Sequence, residues 1–256
     1  MRRTDPRQAW FARLRETLEE SLKHVTLSVH PSRANMRGSS SYTVYHYTIT
    51  KPGLRWGVDR RYSECHRVRQ QLLRCFRRAN PTLAGFLAPI ANVDFPKKRF
   101  SEDTKCIVSE RKLKLKLFLR ACLEVRATLI AYVTVYLTQQ QHPAHQHDRM
   151  NRLEEIINQI DSFLDMPPQL RDDERRLANG MLALLKQHKS TMFQSSISRI
   201  SCLEDCAICL CEFDPTDESD MVITLPCSHV FHGECLFPWL VRDHSCPLCR
   251  TSAVSC

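Results

Sequence analysis

Eight soft side chains fall within residues 206–250, in the order Cys206-x2-Cys209-x17-Cys227-x1-His229-x2-His232-x2-Cys235-x10-Cys246-x2-Cys249. Zinc takes four sulfur or nitrogen ligands in a tetrahedron, and a Cys-x2-Cys turn aims two thiolates at one metal. Eight ligands therefore complete two closed sites and leave no position open for a water. The metal's work in such sites is architectural, not catalytic. A stretch this short cannot build a sufficient apolar core, so zinc binding is expected to drive its folding. The regular spacing argues against a chance cluster of buried cysteines, and the histidines within the pattern argue against an iron–sulfur centre. Cys202, Cys211 and Cys256 match no ligand position. Cys211, two residues past Cys209, is taken as a bystander.

A second concentration of chemistry is cationic. Residues 22–121 hold 21 Lys and Arg against 6 Asp and Glu, whereas residues 122–256 hold 11 against 18 within a chain of net charge +9. Such asymmetry implies two functional parts, the first facing something anionic. Arg60 and Arg61 precede Tyr62 where a strand gives way to a helix, and DFPKKRF and SERKLKLKLFL follow at 94–100 and 109–119. Arginine binds phosphate bidentately, so these clusters suit a ligand with several anionic oxygens. Nucleic acid is the weaker alternative: the charge would attract it by counterion release, but the spaced aromatics that RNA-binding sheets use are not apparent.

The elements that must position these groups follow from hydrophobic periodicity. A helix is expected over 5–22, capped by Asp5-Pro6, with Trp10, Phe11, Leu14, Leu18 and Leu22 on one face. Strands are expected near 24–29, 42–49 and 54–60, and a helix from Tyr62 through Cys65, Val68, Leu72, Cys75 and Phe76. Residues 80–107 look like a proline-containing loop. The alternation of Leu113, Leu115 and Leu117 suggests a strand, but the length of that apolar segment favours a helix. QQQHPAHQH at 139–147 is expected as a solvated loop, followed by a helix over 149–165 stopped by Pro167 and Pro168. A further helix is expected near 171–188 on Leu177, Met181, Leu184 and Leu185, then a Ser-rich linker at 190–201.

Hydrophobic residues make up 43% of the 256 and mean hydropathy is −0.36. The N-terminus has no apolar signal region. The most apolar stretch, 118–136, carries Arg120, Glu124 and Arg126, and its uncharged remainder is too short to cross a bilayer. At the C-terminus Ala253 stands where a prenylation signal needs Cys. The expectation is a cytoplasmic chain, where thiols stay reduced and clustered cysteines bind metal.

The Cys/His order resembles the RING finger family in its H2 form, with two histidines in the middle. That resemblance implies a cross-brace. Cys206, Cys209, His232 and Cys235 would hold one zinc, and Cys227, His229, Cys246 and Cys249 the second. MVITLP and HVFH would form a small hairpin and GECLFPWLVRD a short helix. It also implies a ubiquitin ligase that recruits a ubiquitin-conjugating enzyme. Ile208, Trp239, Pro247 and Leu248 match the conjugating-enzyme contacts, and Arg250 matches the linchpin that hydrogen-bonds the donor ubiquitin. The alternative is a non-catalytic zinc-finger scaffold.

The basic half resembles the phox homology (PX) domain, a phosphoinositide-binding module of three strands followed by helices, over about 22–167. Arg61 matches the arginine that grips the 3-phosphate and Tyr62 the aromatic under the inositol ring. Lys98 matches the lysine at the 1-phosphate and Arg111 the arginine at the far ring hydroxyls. Cys65 replaces the usual Phe of the RRYSEF stretch, Val93 stands where the first proline of the Pro-rich loop would be, and 126–147 looks like an insertion. The expected architecture is α+β, a PX-like domain of three antiparallel strands plus helices followed by a two-zinc RING finger. Its segments are an N-terminal helix at 1–21, the PX-like domain at 22–168, helix and linker at 169–201, and the finger at 202–256. Such a chain would sit peripherally on endosomal or related membranes, with phosphatidylinositol 3-phosphate as the expected lipid.

Overall fold

The structure is a computed structural model, and it describes residues 6–35, 41–99, 103–136, 144–192, 205–213, 222–243 and 245–253. In chain order the elements are α1 (Pro6–Lys23), β1 (Thr26–Asn35), β2 (Ser41–Lys51), β3 (Leu54–Arg61), α2 (Tyr62–Arg77), α3 (Pro81–Asn92), α4 (Lys105–Tyr136), α5 (Ala144–Phe163) and α6 (Pro168–Met192), then β4 (Val222–Thr224), β5 (Val230–His232) and α7 (Gly233–Arg242). They form two compact units. One comprises Leu22–Leu129 and Gln141–Pro167, the other Met1–Ser21, Ile130–Gln140 and Pro168–Cys256.

The sheet of the first unit is antiparallel in the order β1-β2-β3, with Val29 opposite Tyr47 and Tyr47 opposite Val58. Thr43, Tyr45, Tyr47 and Ile49 alternate inward along β2, the period-two pattern of a sheet with one face on a core. Lys51 pairs with Leu54, so the β2–β3 turn has two residues, Pro52 and Gly53. Pro sets the first central position and Gly53, at φ 77°, supplies the left-handed second one. Beneath the sheet, Leu115, Phe118, Leu119 and Cys122 of α4 are fully buried, and Phe118 meets Phe95 edge-on at 5.2 Å. Cys65 fills the place of the expected aromatic, and burial pushes its thiol up to about 12.

Three expectations are corrected. The stretch 80–107 is not loop throughout, because α3 occupies Pro81–Asn92. Asn80 caps it by accepting the Leu83 N–H at 2.9 Å, and Pro81 sits in the first turn, where a missing N–H costs nothing. Leu87 and Ile90 bury its inner side. The loop expected at 139–147 also gives way to helix at its end. The helix α4 runs unbroken to Tyr136 and α5 begins at Ala144, with 137–143 outside the described residues.

Finally, α5 ends at Phe163, before the two prolines. Asp165 adopts the left-handed conformation at φ 45°, and the Met166 N–H donates back to the Asp161 carbonyl at 3.0 Å. Arg60 then caps the end, donating to the Phe163 and Ser162 carbonyls at 2.9 and 3.0 Å and to Asp165 at 2.7 Å. A buried ion pair, Arg126 with Asp161, joins α4 to α5.

In the second unit α1 buries Leu14 and Leu18, and Phe11 packs edge-on against Tyr132 at 5.8 Å. The expected cap Asp5 lies outside the described residues. The helix near 171–188 is longer than expected, Pro168–Met192, and buries Leu177, Met181 and Leu184. Of the linker expected at 190–201, residues 190–192 belong to this helix instead and 193–201 lie outside the described residues, as do Cys202 and Cys256. The short hairpin β4–β5 pairs Ile223 with Phe231, and α7 buries Leu236, Phe237 and Leu240. No described helix is long and apolar enough to cross a membrane.

Candidate metal centres and anion cleft

The eight Cys and His donors gather into two clusters of four. Cys206, Cys209, His232 and Cys235 form one, Cys227, His229, Cys246 and Cys249 the other, with the donor atoms of each within 4.8 Å of one another. A zinc tetrahedron with bonds of about 2.0–2.3 Å separates its ligand atoms by roughly 3.3–3.8 Å. His232 Nδ1 lies 3.2 Å from Cys209 Sγ, and His229 Nδ1 lies 3.4 and 3.6 Å from Cys227 and Cys246 Sγ. Both histidines therefore present Nδ1, and the donor set fits two zinc ions in the pairing expected. Cys211 joins neither cluster; its Sγ lies 3.6 Å from the Cys209 carbonyl.

The two Cys-x2-Cys knuckles share one backbone design. Leu210 N–H donates to the Cys206 carbonyl at 2.7 Å, as Arg250 N–H does to Cys246 at 3.0 Å. Cys206 and Cys246 N–H in turn donate to the carbonyls of Cys211 and Thr251 at 2.9 and 2.8 Å. Leu210 and Arg250 close the turns in the left-handed region, at φ 60° and 62°, a conformation unfavourable for residues with a Cβ. The second cysteine of each knuckle is held below the ordinary thiol range. The Cys211 backbone N–H does this at Cys209, and the Thr251 hydroxyl, then its N–H, draws Cys249 down to about 6. Both shifts favour the thiolate, which is the ligating form.

The knuckles carry apolar side chains outward. Ile208 inside the first and Leu248 inside the second are exposed, and Leu210, which the sequence reading passed over, is 75% exposed. The signal for Leu210 was its place directly after a ligand. Trp239 and Pro247 are half-buried, and Trp239 Nε1 donates to the Ser245 carbonyl at 2.9 Å. The Arg250 guanidinium is 70% exposed, 3.6 Å from Asp243.

The first unit holds a cleft of about 520 Å3, the size of a small-molecule site. Arg61, Tyr62, Lys98 and Arg111 all line it. Tyr62 is anchored by its hydroxyl, which donates to the Pro96 carbonyl at 2.9 Å. The Arg111 guanidinium covers that ring at 4.1 Å, and Arg61 lies over Tyr42 at 3.8 Å. Further cations were missed. Arg67 and Arg74 enter the cleft from α2 with Gln70 between them, on the polar stripe opposite Cys65 and Leu72. That stripe was available in the helical periodicity. Asp103, which accepts from both Thr43 and Arg111, gave no comparable signal, because it reaches Thr43 only through the fold.

On the outer face of the sheet, Ser32 Oγ lies 2.6 Å from His46 Nε2 and His46 Nδ1 lies 2.8 Å from Asp59. The connectivity is that of a nucleophilic triad, but His46 and Asp59 stand 42% and 65% exposed on an open strand face. It serves as a cross-strand polar ladder.

Residues 204–250 match the family model described as a Ring finger domain, and residues 49–160 match that of a PX domain. The chain pairs a PX domain with a RING-H2 finger. The E3 ubiquitin-protein ligase RNF181 of Rattus norvegicus is 40% identical over 68 residues, which are 27% of this chain and 37% of that protein. RNF181 of Xenopus tropicalis is 51% identical over 45 residues, 18% of this chain and 27% of its own. The RING-H2 finger protein ATL13 of Arabidopsis thaliana is 50% identical over 52 residues, 20% of this chain and 10% of its own. The chain thus spans little more than a third of the length of these relatives at most. The RING match takes in both donor clusters and both knuckles, and the PX match takes in Arg61, Tyr62, Lys98 and Arg111.

Proposed function

We propose that the chain is a RING-type ubiquitin ligase held on phosphoinositide-bearing membranes. Residues 22–168 read the lipid, 169–201 connect, and 202–256 promote transfer. The reading rests above all on two complete Cys/His clusters whose knuckles present Ile208 and Leu248 to solvent, in a finger similar to those of proteins named E3 ubiquitin-protein ligases. Bound zinc supplies cross-links that hold these knuckles and no reactive group.

The chain contributes no nucleophile. Ile208, Trp239, Pro247 and Leu248 bind a thioester-loaded conjugating enzyme, and Arg250 donates hydrogen bonds to the donor ubiquitin. A guanidinium suits that task because its planar fork bridges two carbonyl acceptors. A substrate lysine amine attacks the thioester carbonyl, the conjugating enzyme's thiolate departs, and an isopeptide bond forms. The acceleration comes from orientation and preorganised hydrogen bonds. In the cleft Arg61 takes the 3-phosphate and Lys98 the 1-phosphate. Surrounding Lys and Arg add attraction to acidic lipid of about 1 kcal/mol each. A preference for the 3-phosphate would place the chain on the cytoplasmic face of endosomes.

Autoubiquitination of the purified chain against a panel of conjugating enzymes tests the ligase. Ile208→Ala and Arg250→Ala are each expected to lower chain formation at least about tenfold. A zinc-loaded, folded wild type inactive with every partner would leave a scaffold in place of the ligase. Arg61→Ala is expected to abolish binding to vesicles containing phosphatidylinositol 3-phosphate, and unchanged binding would remove the pocket assignment.

A further inference from the structure

Five large apolar side chains are exposed among the described residues. Ile208, Leu210 and Leu248 belong to the zinc knuckles, whereas Leu113 and Leu117, at 63% and 46% exposure, lie one turn apart on α4. A single exposed leucine is ordinary, but two at i and i+4 touch and form a continuous apolar strip. Of the alternating Leu113, Leu115 and Leu117, Leu115 alone faces the core. With 3.6 residues per turn, Leu113 and Leu117 stand about 200° and 240° round the helix from Arg111, the α4 residue that lines the cleft. The strip is therefore separate from the anion site. Cys106, also exposed, continues it two turns before Leu113.

The two flanks of the strip differ in charge. On one side Lys114 is matched by Asp94 and Glu110 at 3.2 and 3.1 Å, and Arg99 reaches Glu110 at 3.0 Å. On the other, Lys112 and Lys116 are exposed and have no acidic partner among the described residues. An apolar line one side chain wide, with unmatched positive charge along one edge, fits a second helix. The leucines of that helix would pack on Leu113 and Leu117, and its carboxylates would meet the lysines. A bilayer takes a broader apolar face than two leucines. A second copy in symmetric antiparallel pairing would set Lys112 and Lys116 against their own counterparts, and like charges repel. We propose that this face of α4 docks an acidic amphipathic helix of a partner protein, one with leucines a turn apart and carboxylates along one edge. The inference goes beyond the function proposed above and gives the chain a protein-binding surface outside both the knuckles and the cleft.

The probe is a fluorescent peptide of about 20 residues, long enough to hold a helix, with leucines one turn apart and glutamates along one edge. Its binding to the full chain is read by anisotropy. The controls are the same peptide with lysine for glutamate, and phosphatidylserine vesicles free of inositide. Wild type is expected to bind the acidic peptide, more weakly as salt rises. Leu113→Ser with Leu117→Ser alters exposed side chains only and is expected to weaken binding at least about tenfold. Lys112→Glu with Lys116→Glu keeps the leucines and is expected to weaken it about fivefold at low salt. A wild type without affinity for the acidic peptide overturns the inference, as does equal binding of the lysine peptide. Unchanged affinity in the leucine variant, or displacement of the peptide by soluble inositol 1,3-bisphosphate, overturns it too. Binding to the inositide-free vesicles that falls in the leucine variant assigns the face to a membrane and overturns the choice of a protein partner.

Discussion

The RING finger and the basic cleft reach a defined site by opposite routes. In the finger, the residues proposed to act lie between or beside the residues that fold it. Ile208 sits inside one Cys-x2-Cys turn, Leu248 inside the other, and Arg250 directly after the last ligand. In the cleft, Tyr42, Arg61, Lys98 and Arg111 come from β2, β3, a loop and α4, and a separate apolar core of Tyr47, Phe118 and Leu119 brings them together. The first design ties function to metal, the second ties it to packing. The difference teaches where each is fragile.

Metal removal breaks the comparison most sharply. Structural zinc contributes about 10–16 kcal/mol of apparent binding free energy in small finger domains, more than the few buried side chains around Phe231 and Leu240 supply. Chelation is expected to collapse amide-exchange protection across 205–253 while the sheet β1–β3 keeps its own. Loss of protection in both regions at once would show that the two are not energetically separate. Protection unchanged at β4–β5 would show that the finger folds without metal.

The complementary lesion lies in the packed unit. Asp161 and Arg126 are each 4% exposed, and the pair holds the end of α5 against α4. Removing one partner of a buried pair strands the other charge and costs about 3–5 kcal/mol. Asp161→Ala is therefore expected to lower the melting temperature of the first unit and weaken vesicle binding, while zinc content stays at two per chain. A wild-type melting profile would mean that water reaches Arg126 readily and that the pair contributes little.

The same contrast explains what the sequence made legible. The eight candidate ligands followed from spacing, because a Cys-x2-Cys turn is local and its geometry needs no distant residue, whereas their pairing came from the resemblance to the RING finger family. The sheet was legible because Thr43, Tyr45, Tyr47 and Ile49 alternate, and because Pro52-Gly53 admits one kind of turn. The helix α3 was missed because its proline content suggested loop, although Asn80-Pro81 is a capped start. The end of α5 was credited to Pro167 and Pro168 when Arg60, a hundred residues away in sequence, caps it. Asp103 was invisible for a similar reason: its partner Thr43 is near it only in the folded chain. Local geometry can be read from spacing, whereas contacts made by packing appear only with the fold.

The smallest expected effect tests how far spacing can be trusted. Cys211 lies on the first knuckle, two residues past a ligand, and a free thiol there could be suspected of competing for the metal. Its carbonyl already closes the knuckle by accepting the Cys206 N–H at 2.9 Å, and its N–H is the donor that favours the Cys209 thiolate. Its side chain is exposed and belongs to neither cluster of donors. The backbone of residue 211 therefore serves the site and its sulfur does not. Cys211→Ser preserves the backbone and is expected to leave two zinc ions per chain by native mass spectrometry, whereas Cys209→Ser removes a ligand and is expected to lose one. A drop in zinc content for Cys211→Ser would show that the sulfur enters the coordination shell, and that ligand order alone does not decide which thiols a knuckle uses.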